Sequence, residues 1–264
     1  MAQLPAGHVP LIQRWFGWLR PRPPEIDAAL WEAACSGCAW IAALDPARRA
    51  RLRQLSARFL QQKTVSPVAG LQLGDRERVL LAATCCLPLL EIGAAGWRGW
   101  SQLIVYPEAF RVQRSHVDAA GVLHEWDDEL IGEAWDQGPL IVSWADVQAD
   151  LADPRAGFNV VVHEMAHKLD ALDGVLDGTP PLPRDWQRRW AGDFQRHYDA
   201  LCAVLEAGGE SAIDPYAAEA PEEFFAVVSE YHFSAPQVLQ AAMPEVAAHL
   251  ARYYGPSPFA GVPA

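Results

Sequence analysis

An H-E-x-x-H pattern at residues 163–167 is the strongest structural signal in this sequence. Its residue types suit a helix, and residues four apart on a helix lie one turn apart and about 40° apart around the axis. The imidazoles of His163 and His167 can therefore reach one metal ion. Glu164 lies on an adjacent face and can reach a water on that metal. This arrangement predicts a zinc site with hydrolytic chemistry.

A catalytic zinc site needs one more protein ligand and one open position. Asp170 lies about one turn beyond His167, where a straight helix carries it past the metal, so it is expected either to contact a ligand histidine or to be an ordinary polar residue at the end of the helix. Asp173 lies six residues after His167, where some compact zinc proteases place the third ligand. That geometry usually needs glycine at the position that Asp170 occupies.

A downstream helix beginning near Pro221 offers further candidates. Its apolar side chains form one stripe: Phe224, Val228 and Tyr231. A carboxylate close to such a buried face needs a partner, and a metal ion is a good one. Glu223 starts the inward face and is the preferred third ligand. Glu230 lies two turns further along the same face and is expected to support the site from behind, whereas Glu222 points elsewhere.

Two residues are candidates for the chemistry itself. Glu164 can act as general base, taking a proton from the attacking water and passing it to the leaving amine. Tyr216 precedes Glu223 by seven residues and is a candidate phenol donor to the oxyanion. The residues alone leave open whether this tyrosine is catalytic or only packs in a turn.

The periodicity along the chain predicts an α+β protein that is mostly helical, with a small mixed sheet next to the motif helix. Asp45-Pro46 is a typical helix start. The predicted strands are Leu103–Tyr106, Val122–His124 and Gly138–Trp144. The predicted helices lie within 25–62, 75–90, 157–172, 184–207, 220–232 and 236–254. The polar stretch 111–137 has the composition of a hairpin or lid.

Composition limits the classes of partner and compartment. The formal net charge is −12 and no Lys/Arg-rich run occurs, so we expect no direct contact with nucleic acid. No signal peptide or membrane-length apolar run is evident, which favours the cytoplasm. The five cysteines include a C-x-x-C at Cys35 and Cys38, but buried, reduced thiols are expected rather than a metal or redox site.

Several motifs in the same order resemble the Mlc titration factor A family of bacterial zinc-dependent peptidases, which are of the gluzincin type. The resemblance spans roughly residues 75–240. The matching motifs are Leu103–Pro107, Gly132–Trp135, Gln137–Pro139, Ser143–Val147, His163–Asp170, Ile213–Ala217 and Glu223–Tyr231. The block from Tyr216 to Glu223-Phe224-Phe225-Ala226 is also similar to the catalytic domain of anthrax lethal factor.

The resemblance implies a zincin-like metallopeptidase core. It implies one Zn²⁺ ion on His163, His167 and Glu223, with Glu164 as base and Tyr216 acting on the transition state. It also implies that residues 138–144 form an edge strand along which a peptide substrate lies. Family members are described as cytoplasmic and aminopeptidase-like, and in enteric bacteria they bind the glucose repressor Mlc.

The predicted organisation is a helical extension at residues 1–74, packed on a catalytic domain at residues 75–264. The predicted function is zinc-dependent hydrolysis of short peptides. An alternative is a regulatory binding protein that sequesters a transcription factor, in which the zinc site is structural or vestigial. Neither the N-terminal Pro/Trp-rich segment nor the tail after residue 240 is covered by the matching motifs.

Overall fold

A computed structural model describes residues 24–108 and 138–261. The helices and strands confirm a mostly helical α+β protein. The α-helices of these ranges are α1 (Ala28–Cys35), α2 (Ala39–Ala42), α3 (Pro46–Gln62), α4 (Asp75–Cys86), α5 (Trp144–Ala152), α6 (Val160–Asp170), α7 (Arg184–Glu206), α8 (Pro221–Ser234), α9 (Pro236–Ala242) and α10 (Pro244–Tyr254). The strands are β1 (Thr64–Pro67), β2 (Gln102–Tyr106) and β3 (Leu140–Ser143), and 3₁₀ helices occupy Leu87–Leu89, Gly93–Trp97, Ala171–Asp173 and Pro215–Ala218.

Local sequence signals set several helix boundaries. The Asp45 carboxylate accepts hydrogen bonds from the N–H groups of Ala47 and Arg48, and Pro46 is the first residue of α3, as predicted. A proline also corrects one prediction. The single helix expected over 236–254 is two helices, because Pro244 has no N–H to donate and its ring would clash with a continuing helix.

The three described strands form one parallel sheet in the order β1-β2-β3. Leu103 of β2 pairs with Val65 on one side and with Leu140 on the other. The strands at 103–106 and 138–144 were predicted and are present as β2 and β3. The sheet was expected to be mixed, but all its described strands are parallel. Helix α6 packs against β3, which places the sheet beside the H-E-x-x-H helix as expected.

Strand β1 was not predicted, because four residues ending in a proline carry too little alternation to be recognised. It lies within residues 1–74 and pairs with β2 over its whole length. The helices predicted within 25–62 are present as α1, α2 and α3. The division of the chain at residue 74 stays a prediction.

Aromatic packing holds α7 and α8 together. The rings of Trp190 and Phe194 stack with centroids 4.1 Å apart, and both rings contact Phe225 of α8. Phe194 also meets Phe224 edge-on at 5.7 Å. Since α8 in turn packs on α6, this cluster fixes where α8 presents its polar side chains.

The cysteines behave as expected for reduced thiols. All five are free, and four of them are buried, with Cys202 partly exposed. Burial raises the pKa of Cys35 to about 12 and that of Cys38 to about 11, so both C-x-x-C thiols stay protonated at neutral pH. The predicted strand at 122–124, the lid at 111–137 and the lead-in before residue 24 lie outside the described residues.

Candidate metal centre

Three side chains hold the N-terminus of α6, the helix that carries the H-E-x-x-H pattern. Asn159 accepts a hydrogen bond from the N–H of Val162 at 3.1 Å, and Asp150 accepts one from the N–H of Val160 at 2.8 Å. Glu230 of α8 accepts a third from the N–H of Asn159 at 2.6 Å. These bonds satisfy donors that a helix start leaves unpaired, and they fix the first turn on which His163 stands.

His163, His167 and Glu223 converge where α6 meets α8. His163 Nε2 lies 3.2 Å from His167 Nε2 and 3.1 Å from Glu223 Oε2, and His167 Nε2 lies 3.5 Å from Glu223 Oε1. These three residues form a group whose ligand atoms all lie within 4.8 Å of one another. The structure therefore brings together the three side chains predicted as ligands, from two separate helices, although Glu223 lies 56 positions after His167 in sequence.

Glu230 orients the first histidine of the group. Its Oε1 lies 2.8 Å from His163 Nδ1, and its side chain is 1 % exposed. Because the carboxylate can only accept, Nδ1 carries a proton, which leaves Nε2 as the ring nitrogen that faces Glu223 and His167. Once Nε2 gives up its own proton, the ring is the tautomer that a metal ligand needs, and the supporting contact predicted for Glu230 is present.

The electrostatics of the group favour a bound cation. Burial opposes charge on His163, but the neighbouring carboxylates of Glu223 and Glu230 outweigh burial and raise its pKa to about 10. Burial alone would raise the pKa of Glu223, but the two histidines have the larger effect and hold that pKa well below its usual range. Oε2 of Glu223 is nevertheless buried without a hydrogen-bond partner. Two imidazoles next to a carboxylate whose oxygen lacks a hydrogen-bond partner fit a zinc ion.

Glu164 and Tyr216, the two residues predicted to act in the chemistry, border this group. Glu164 follows His163 on α6 and is half-buried. The ring of Tyr216 lies 6.1 Å from that of His163 and is tilted by 35°. Tyr216 stands on the 3₁₀ helix that packs on α8, and its N–H donates to Asp214 at 2.8 Å. The site thus has one carboxylate and one phenol beside its three candidate ligands.

The other acidic candidates face elsewhere. Asp173 is exposed and accepts a hydrogen bond from the N–H of Val175 at 3.3 Å. Asp170 is fully buried, and its Oδ2 accepts from the N–H of Gly178 at 2.8 Å, in the loop after α6. Its expected contact with a ligand histidine is made by Glu230 instead. Burial raises the pKa of Asp170 to about 7. No local pattern marks this contact, because Gly178 comes close only through the tertiary fold.

Comparison with known proteins agrees with this geometry. A family model described as "Glucose-regulated metallo-peptidase M90" matches residues 14–255. The chain belongs to this metallopeptidase family. The match includes both helices of the candidate metal centre and most of the residues 1–74 that were predicted as an extension.

Curated relatives of this M90 family member are similar over nearly the whole chain. The Mlc titration factor A of Serratia proteamaculans is 35 % identical over 246 residues, covering 92 % of this chain and 93 % of its own length. The protein of that name from Klebsiella pneumoniae is 38 % identical over 231 residues, covering 86 % of each. The predicted resemblance to this family is confirmed.

No helix within residues 24–108 and 138–261 combines the length and the apolar character that crossing a bilayer needs.

Proposed function

We propose that this protein is a zinc-dependent peptidase that hydrolyses short peptides, with aminopeptidase-like activity. The observation that carries the proposal is the convergence of three ligand atoms, one each from His163, His167 and Glu223. Glu164 is next to His163 on the same helix. Membership of a metallopeptidase family supports the proposal. A His₂Glu ligand set leaves one position of a tetrahedral zinc ion open, as catalysis requires and as structural sites generally do not.

Each residue then has a defined task. His163, His167 and Glu223 hold the ion, and Glu230 keeps His163 in the tautomer that can bind it. Zinc, when bound, supplies Lewis acidity that activates water and polarises the peptide carbonyl. Glu164 takes the proton of the attacking water and delivers it to the leaving amine, so the base becomes an acid within one turnover.

Tyr216 is proposed to donate a hydrogen bond to the oxygen that becomes negative in the transition state. Its ring lies beside His163, and its 3₁₀ helix is fixed by the Asp214 cap and by packing on α8. Loss of one such donor typically lowers kcat by about 10²–10³. Tyr216→Phe is therefore expected to lose activity while it keeps its zinc.

The peptide is proposed to bind along β3 by adding a strand to the sheet. Within the described residues β3 is an edge, since β2 is paired on both sides and β3 only on one. An edge strand offers unpaired N–H and C=O groups to an extended chain. Lys168 of α6 donates to the carbonyl of Gly138 at 3.0 Å, which ties the start of this edge to the motif helix.

A regulatory partner is proposed on the evidence of the relatives' names. The Serratia and Klebsiella relatives are both named for titration of Mlc, and the matching family is described as glucose-regulated. We extend this to binding of an Mlc-like transcriptional repressor by the present chain. Such a partner would be met in the cytoplasm, which is the proposed location. The same names favour the alternative function, sequestration of a repressor without catalysis.

The experiment that tests the proposed function is the change Glu164→Gln. The amide keeps the size of the side chain but cannot accept a proton, so hydrolysis of a panel of short peptides should fall by about 10²–10⁴. Zinc content should stay at the wild-type level, since Glu164 is outside the ligand group. Glu206→Gln, which removes an exposed carboxylate at the end of α7, should leave both quantities unchanged.

Two outcomes would overturn the enzymatic proposal. Undiminished hydrolysis by the Glu164→Gln protein would show that this carboxylate is not the base. A zinc-loaded wild type that cleaves no member of the panel but binds an Mlc-like repressor would favour the sequestering function instead.

A further inference from the structure

The loop after the motif helix touches both helices of the candidate metal centre at one residue, Gly178. Its N–H donates to Oδ2 of Asp170, the last residue of α6, at 2.8 Å. Its carbonyl accepts a hydrogen bond from Nε1 of the buried Trp190 at 3.1 Å. Both polar groups of this peptide segment are thus held by buried side chains, and Gly178 is itself buried.

The other side of Gly178 lies against the first turn of α8. A Cβ atom added to Gly178 would lie 2.4 Å from the carbonyl oxygen of Pro221 and 2.9 Å from its carbonyl carbon. These are backbone atoms, which cannot rotate away as a flexible side chain can. Pro221 is the first residue of α8, and Glu223 follows two residues later. The glycine therefore allows a backbone-to-backbone contact immediately before the proposed third ligand.

We propose that the contact from Asp170 through Gly178 to Pro221 is a positioning device for Glu223. It sets the distance between the first turn of α8 and the end of α6, and thereby the placement of the Glu223 carboxylate relative to His163 and His167. The proposal rests on the proposed zinc site. Asp170, Gly178 and Pro221 bind no metal themselves in it; they act through Glu223.

Zinc binding should be sensitive to small changes in this contact. Ligand distances in zinc sites vary by only about 0.2 Å. Relieving a 2.4 Å approach requires a shift of about 1 Å to reach ordinary van der Waals contact. Asp170 and Trp190 resist movement of the loop, so the shift falls largely on the first turn of α8. A shift of that size exceeds the tolerance of a zinc ligand several-fold.

The same loop contains a matched control. Gly174 has φ +90° and Gly178 has φ +79°, so alanine is strained by the left-handed backbone at both positions. A Cβ at Gly174, however, meets nothing within 4 Å. Both variants therefore have a strained backbone and lose conformational entropy in the unfolded chain. Only Gly178→Ala also clashes with Pro221.

The test measures zinc affinity by competition with a chelator, and the visible absorption of the Co²⁺-substituted protein, which reports ligand number and arrangement. Gly178→Ala is expected to bind zinc about tenfold more weakly or worse, with an altered Co²⁺ spectrum. Gly174→Ala should stay within about twofold of wild type and keep its spectrum. Equal zinc affinity and equal spectra for the two variants would overturn the proposal.

If Gly178→Ala does not fold, a second pair of variants tests the same positioning role. Asp170→Asn keeps an oxygen that can accept from the Gly178 N–H, whereas Asp170→Ala removes it. The alanine variant should show the weaker zinc binding and altered spectrum, and the asparagine variant should restore both toward wild type. Equal behaviour of this pair would overturn the proposal.

Glu223→Ala separates this inference from the zinc site on which it rests. Wild-type zinc affinity in that variant would refute Glu223 as a ligand and with it the proposed site. Weakened binding in Glu223→Ala, together with unchanged binding in Gly178→Ala, would refute only the positioning device.

Discussion

At the scale of single residues, the two ring nitrogens of His163 have different partners. Nδ1 donates to Glu230 at 2.8 Å, while Nε2 faces Glu223 at 3.1 Å and His167 at 3.2 Å. Glu230 uses its second oxygen to accept from the N–H of Asn159, at the start of the same helix. One buried carboxylate therefore controls both the ring's tautomer and the position of the helix that carries the ring.

Replacement of Glu230 by glutamine should weaken zinc binding without touching a proposed ligand. The Asn159 N–H and His163 Nδ1–H meet different oxygens of Glu230, so in glutamine one of these donors would face the amide NH₂ group instead of an acceptor. Loss of such a supporting contact typically lowers metal affinity by about 10–100-fold, which a chelator competition titration would measure. Glu222→Gln, on the same helix, is the matched control and should bind zinc like the wild type. Equal affinities for the two variants would contradict this role of Glu230.

Most of the candidate site could be predicted from the sequence, because its residues follow the regular spacing of two helices. The spacing of His163 and His167 and the apolar stripe beside Glu223 and Glu230 are local patterns of one helix each. The role of Asp170 could not be predicted in the same way. Its partner is a backbone N–H eight residues away, in a loop whose path depends on contacts with α7 and α8.

At the scale of secondary-structure elements, α8 is held in place by aromatic packing on the side opposite its carboxylates. Phe225 is fully buried, meets Trp190 edge-on at 5.6 Å and stacks on Tyr254 at 6.4 Å, with planes 4° apart. The element that carries Glu223 thus depends on rings from α7 and α10. Helices such as α8 could still be predicted because their apolar periodicity is local, whereas the short strand β1 is defined by its pairing with β2.

Truncation of Phe225 should be among the most destabilising changes in this aromatic cluster. Phe225→Ala removes a fully buried ring and is expected to lower the free energy of unfolding by about 3–5 kcal/mol. Denaturant titration with an unchanged m value would measure this loss. Val204→Ala, at a side chain that is 42 % exposed, should change stability by no more than about 0.5 kcal/mol. A similarly small effect for Phe225→Ala would show that the aromatic cluster does not hold α8.

At the scale of the whole molecule, the acid stability of the fold depends in part on His232. This imidazole is 3 % exposed, and its pKa is lowered to about 4, mainly by burial. A hydrogen bond to the backbone of Gly255 raises the pKa, and the charge of nearby Arg48 lowers it. Its Nε2 has no hydrogen-bond partner. The folded protein therefore holds this ring neutral, while the unfolded chain protonates it near pH 6.5.

The sign of the pH dependence follows from these pKa values. Between pH 6.5 and 4 the unfolded chain binds the additional proton, so stability falls as the pH falls through this window. The shift corresponds to roughly 3 kcal/mol for this one residue. In His232→Asn the free energy of unfolding should fall less steeply over the same range, as measured by denaturant titration at several pH values. A slope equal to that of the wild type would exclude His232 as a contributor.

We propose that α6 and α8 together hold one zinc ion through His163, His167 and Glu223. Anomalous scattering at the zinc edge from crystals of the zinc-loaded protein tests it most directly. We expect one strong peak per chain, at about 2.0–2.2 Å from Nε2 of each histidine and from a carboxylate oxygen of Glu223. A peak coordinated by Asp170 or Asp173 in place of Glu223, or no peak between the two helices, would refute this ligand set.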